Sequence, residues 1–189
     1  MIKALIFDCF GVFYADPVFA YMRDPATPPD RAEALHAFDK QAALGALDKN
    51  EFVARAALLL NISEADSEQR FFHSNERNER LIEFVQELRK SYKTAMLSNI
   101  GSDMMDGFFS VEEREQFFDK VILSSDVKMA KPDRVIFELA CKQLGVELHE
   151  AVMIDDMKST CDIVKTFGMK SICYKDLEQF QAELSTILK

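Results

Sequence analysis

An aspartate, Asp8, closes the first apolar run of the chain, and an adjacent pair, Asp155 and Asp156, closes another far downstream. Between them Ser98-Asn99 and Lys131 each follow a strand-like run. Carboxylates, a hydroxyl and an ammonium brought to strand ends are the set that magnesium-assisted phosphoryl chemistry requires, because an open α/β sheet gathers the carboxyl ends of its strands into one crevice. Two positions after Asp8, where a second acid would handle protons, stands Phe10.

The elements that must carry these groups are legible as alternation. Ala4-Leu5-Ile6-Phe7 is continuously apolar, as expected of a strand buried on both faces of a parallel sheet. Similar runs recur at Thr94–Leu97, Val121–Leu123, Ala151–Ile154 and Ser171–Cys173, separated by helical periodicity, which predicts βαβ units. The stripe Leu81, Ile82, Val85 and Leu88 marks one connecting helix. Pro132 is expected in the first turn of another, which carries Val135, Ile136, Leu139 and Ala140 and stops at Gly145. A helix after Asp156 should bury Ile163, Val164 and Phe167 and end at Gly168; the last should run through Leu177, Phe180, Leu184 and Leu188.

From Asp16 to Asn75 the alternation stops, with several helical segments and no strand. Pro25, Pro28 and Pro29 predict a loop, Arg31 to Ala43 a helix, and Asp48-x-x-Glu51 a capping box ahead of the apolar face Phe52, Val53, Ala56 and Leu59. The expected organisation is a core formed by residues 1–15 and 76–189, with residues 16–75 inserted as a helical cap.

At 189 residues and 48% hydrophobic, the chain can bury a core without structural staples. Its net charge of −9 repels polyphosphate backbones and anionic lipid surfaces, so neither nucleic acid nor membrane is an expected partner. Cys9, Cys141, Cys161 and Cys173 form no CxxC pair or zinc-type cluster; reduced thiols in a cytoplasmic protein are the simplest expectation. The first apolar run is broken by Asp8, and no stretch reaches membrane-spanning length.

Four segments, Phe7-Asp8-Cys9-Phe10-Gly11-Val12, Leu97-Ser98-Asn99, Lys131-Pro132-Asp133 with Ile136-Phe137, and Ile154-Asp155-Asp156, resemble in order and spacing the four motifs of the haloacid dehalogenase superfamily. Phe117-Phe118-Asp119 before Val121–Ser124, and Leu44-Gly45-Ala46-Leu47-Asp48 in the insertion, extend the resemblance over essentially the whole chain. It implies a Rossmann-like three-layer α/β/α core with a parallel sheet and a small inserted cap of the first type. A receiver domain also combines a strand-end aspartate, an acidic pair and a lysine, but its pair comes early and it has no room for the insertion.

The resemblance implies that Asp8 is a nucleophile toward phosphorus, and that Mg²⁺ is held by Asp8, the Phe10 carbonyl, Asp156 and Asp155, the last directly or through water. It implies further that Ser98 and Asn99 donate hydrogen bonds to the phosphoryl group while Lys131 balances charge, a small phosphorylated metabolite being the substrate. Approach of two anions is opposed by roughly 4 kcal/mol per unit pair at about 4 Å, so cations must stand at the same spot.

Phosphatases of the family usually carry an aspartate where this chain has Phe10, and phenylalanine can neither protonate a leaving group nor activate water. Loss of such assistance lowers rates by about 10² to 10⁴, unless the leaving group is good or a carboxylate, histidine or water substitutes. Asp16, Asp24 and His36 are candidates by location. An aromatic residue here is similar to the 2-haloacid dehalogenases, which lack the metal-type acidic pair; a non-catalytic binding protein is the remaining alternative. The doublets Phe71-Phe72, Phe108-Phe109, Phe117-Phe118 and Met104-Met105 are expected to pack the core or the cap seam, and Cys9 to pack beside Asp8.

Overall fold

The computed structural model describes residues 1–73 and 76–188. Five parallel strands form one sheet in the order β3-β2-β1-β4-β5: β1 Ala4–Phe7, β2 Lys93–Ser98, β3 Lys120–Leu123, β4 Ala151–Asp155 and β5 Lys170–Cys173. All five expected strands are present.

Their apolar runs lack polar alternation because both faces are covered. Leu5 and Phe7 of β1, Met96 of β2, and Val152 and Ile154 of β4 enter one hydrophobic cluster, while Ala4, Ile6, Ala95, Leu97, Ala151 and Met153 enter the other. The pleat sends successive side chains to opposite faces, and each face meets helices. On the first face lie Leu81, Ile82 and Val85 of α5 (Glu79–Arg89) and Phe180 and Leu184 of α11 (Leu177–Ile187). On the second lie Ile136, Phe137 and Ala140 of α9 (Arg134–Leu144) and Val164 of α10 (Lys158–Thr166). The result is a three-layer Rossmann-like α/β/α arrangement.

Between β1 and β2 run α1 Pro17–Arg23, α2 Pro29–Ala43, α3 Lys49–Leu60, α4 Glu64–Glu68 and a π-helical turn Gln69–His73. The expected boundary at Asn75 lies outside the described residues. Asp48 and Glu51 form both bonds of the predicted capping box on α3, whose buried face is Phe52, Val53, Ala56, Ala57 and Leu60; Leu59 is only half-buried. The turn from α2 to α3 is fastened to the core at three points. Ser124 donates to the Ala43 carbonyl, Lys128 Nζ to the Leu44 carbonyl at 3.1 Å, and the Lys49 amide to Asp103 at 2.6 Å.

Three expectations need correction. Pro29 is not in the loop but opens α2, where its missing N–H is no loss. Pro132 is not in the first turn of α9: Asp133 N–H bonds the Ala130 carbonyl, so the chain completes a turn before the helix begins at Arg134. Ile163 and Phe167 are only half-buried on α10, which buries Thr160, Cys161 and Val164. The short helices α6 (Ser102–Met105), α7 (Val111–Phe117) and α8 (Ser124–Val127) complete the links around β3. Among the described residues, no helix is long and apolar enough to cross a membrane.

Candidate active site

β2, β1 and β4 are adjacent and in register, Phe7 pairing with Met96 on one side and Ile154 on the other, so Ser98, Asp8 and Asp155 emerge together. They open into a cavity of about 550 Å³ whose wall also includes Phe10, Asn99, Lys131 and Asp156. The residues singled out in the four motifs, Asp8, Phe10, Ser98, Asn99, Lys131, Asp155 and Asp156, therefore line one cavity.

Lys131 Nζ stands 2.6 Å from Asp8 Oδ2 and 2.8 Å from Asp155 Oδ2. The remaining oxygens are held by backbone: Asp8 Oδ1 accepts from Cys9 N–H at 2.7 Å, and Asp155 Oδ1 from Met157 N–H at 2.9 Å. Lys131 is itself clamped by Asn99, whose Oδ1 accepts from its N–H at 2.8 Å and whose Nδ2 donates to its carbonyl at 2.9 Å. In this structure the Asn99 amide thus positions the lysine.

Burial raises the Asp8 carboxyl to about 7; the Lys131 charge opposes this and the Asp155 charge adds to it. Burial, then the charge of Asp155, also pushes Asp156 up. Burial by itself would favour loss of the Lys131 proton, but Asp8 and Asp155 outweigh it and hold the ammonium form above the ordinary lysine range. Burial and then the Asp8 charge push the Cys9 thiol well up, in keeping with a packing role.

The carboxylates of Asp8, Asp155 and Asp156 offer oxygens within 4.8 Å of one another. Gly11 lets Asp156 come so close: its φ is +73°, and a Cβ there would meet Asp156 Cγ at 2.1 Å. Ser98 Oγ is fully buried in the same wall with no hydrogen-bond partner among the described residues. A divalent cation fits the three acids, and a phosphoryl oxygen fits the orphaned hydroxyl.

The inserted helices also line the cavity, through residues such as Phe19, Met22, His36 and Phe72. Phe10 stacks edge-on against Phe108 with ring centroids 4.8 Å apart, and Phe71 and Phe72 line the cavity beside them. The phenylalanine doublets are buried as expected. Asp16 and His36 line the cavity, although Asp16 also caps α1 by accepting from Phe19 N–H at 2.8 Å. Asp24 does not belong to the wall; it ends α1 and accepts from Ala26 N–H. Sequence reasoning missed Asp39 of α2, which lines the cavity and which burial, then the Asp16 charge, raises to about 7. Its spacing of three from His36 was the available signal.

A family model described as haloacid dehalogenase-like hydrolase matches residues 2–157. The chain belongs to the haloacid dehalogenase-like hydrolases. Within that family it is similar to the D-ribitol-5-phosphate phosphatase of Bacteroides thetaiotaomicron, 29% identical over 120 residues that cover 60% of this chain and 58% of that protein. It is also similar to (S)-2-haloacid dehalogenase 4A of Burkholderia cepacia, 26% identical over 43% of this chain and 35% of that protein. The matches thus span less than two thirds of these curated relatives. In fold it resembles a haloacid dehalogenase family enzyme from Bacteroides thetaiotaomicron crystallised with magnesium and inorganic phosphate, with TM-score 0.72, 20% identity, and coverage of 93% and 95% of the two chains.

Proposed function

We propose that this hydrolase is a magnesium-dependent phosphatase of small phosphorylated metabolites, working through an aspartyl-phosphate on Asp8. The observation that carries this reading is the meeting of three carboxylates, within 4.8 Å of one another, beside one lysine ammonium. Asp8, Asp155, Asp156 and the Phe10 carbonyl would hold the cation, which would supply positive charge for the transferring group. Residues 16–75 form the cap, residues 1–15 and 76–189 the core.

Asp8 acts as nucleophile, its carboxylate aimed by Cys9 N–H and Lys131. Lys131 offsets the negative charge that gathers as a phosphoryl group approaches. Ser98 Oγ donates to a phosphoryl oxygen, and Asn99 positions Lys131. The apolar wall around Phe10 and Phe108 excludes bulk water from the reacting atoms.

The test is phosphate release from a panel of monoesters with and without Mg²⁺, for the protein and for Asp8→Asn. Metal-independent turnover, or an Asp8→Asn variant of full activity, refutes the assignment. The aromatic residue at position 10 favours a second reading, hydrolytic dehalogenation; chloride release from short 2-halo acids in the presence of EDTA would select it.

A further inference from the structure

Phe10, Phe19, Met22, Phe71, Phe72 and Phe108 line the same cavity as the carboxylates. A polyhydroxylated substrate would leave its hydroxyls unpaired against such a surface, whereas a flat apolar body would replace water there favourably. Beside His36 and Lys40, two acids line the same cavity, Asp16 and Asp39, and the Asp16 charge adds to burial in raising the Asp39 carboxyl. A second phosphate or carboxylate on the substrate would meet them with repulsion.

Phe10 adds an independent constraint. Its ring, two residues after Asp8, brings no proton to the cavity wall, so position 10 gives the departing oxygen no acid and favours one that can leave as an anion. A phenoxide, whose parent acid has a pKa of about 10, can do so; an alkoxide, nearer the value of about 16 for water, cannot do so readily.

Resting on the phosphatase reading, we propose that the preferred substrates are phosphoric monoesters of a phenol, carrying no second anionic group. An Asp8 oxygen bonds to phosphorus as the ester P–O bond breaks, its electron pair leaving on the phenoxide oxygen. Water then bonds to phosphorus and gives a proton to solvent, the P–O bond to Asp8 breaks, and the carboxylate is restored.

Phenyl phosphate, cyclohexyl phosphate and D-ribitol 5-phosphate, each with Mg²⁺, separate the two parts of the proposal. The expected kcat/KM falls by about 100-fold or more from phenyl to cyclohexyl phosphate, with similar KM for the two and a higher KM for the polyol ester. Phe10→Asp should shrink the phenyl-to-cyclohexyl ratio, and an unchanged ratio overturns the leaving-group constraint. Met22→Gln, at a half-buried wall position, should raise KM for phenyl phosphate several-fold with kcat nearly constant; an unchanged KM overturns the apolar-wall constraint. By calorimetry phenylphosphonate should bind about tenfold or more tighter than methylphosphonate, equal affinity again counting against the wall. Faster turnover of the polyol ester overturns the substrate class and leaves the phosphatase reading standing. No phosphate release from any ester overturns both.

Discussion

Asn99 and Lys131 are joined by two hydrogen bonds, one to each side of the lysine backbone, 2.8 and 2.9 Å long. The lysine that neutralises Asp8 and Asp155 is thereby fixed from the end of a different strand. Asn99→Ala removes both bonds and should lower kcat by about 10- to 100-fold, with a smaller change in KM. Asn99→Asp keeps the acceptor, loses the donor, and should fall between. Steady-state kinetics of the two variants checks the order.

Ser98 separates stability from activity. Its buried hydroxyl has no partner among the described residues, so Ser98→Ala relieves an unsatisfied group and should leave the melting temperature unchanged or raise it by about 2–4 °C. Phosphate affinity and turnover should fall together. Thermal unfolding beside inorganic phosphate titration reads both, and a variant that melts lower with intact phosphate binding would contradict the role.

Gly11→Ala should strike the acidic cluster through geometry alone. The left-handed backbone disfavours any Cβ by about 1–2 kcal/mol, and the new methyl would occupy the place of the Asp156 carboxylate. Displacement of Asp156 should weaken Mg²⁺ binding by about tenfold or more, measured by calorimetric titration.

Asp39 predicts a pH dependence of stability. Its folded value of about 7 lies above the ordinary 3.8, owing to burial first and the Asp16 charge second, with Lys40 opposing. The folded protein therefore binds more protons than the unfolded chain between about pH 4 and 7, and stability falls as pH rises through that window. Asp39→Asn should flatten this fall and stabilise the protein at pH 8 by about 1–2 kcal/mol after allowance for solvent screening. Denaturant unfolding at pH 5 and pH 8 tests it, with Asp16, His36 and Lys40 unaltered in both proteins.

Much of this arrangement was legible in the sequence because parallel strands announce themselves as unbroken apolar runs, and the residue after each run must emerge at the same edge. Asp8, Ser98 and Asp155 follow that rule directly. Lys131, expected just after a strand-like run, instead arrives on a loop after α8, so its place depends on Asn99 and only its motif pointed to it. Asp39 left only a weak mark, its spacing of three from His36, because its carboxyl lines the cavity only once α2 is docked over the core. Asp24 illustrates the converse, being near Asp16 in the chain yet carried away by one full helix. Lys128 adopts a left-handed φ of +53° and reaches the Leu44 carbonyl, a contact that no local pattern encodes.

The three bonds from Ser124, Lys128 and Asp103 to the α2–α3 turn have an evolutionary corollary. Exchange of the helical roof between relatives, a natural route to new specificity, would require the recipient to accept those anchor points as well. A chimera carrying residues 16–75 of this chain should therefore seat correctly only on a scaffold that also receives α6 with Asp103 and the segment Ser124 to Lys128.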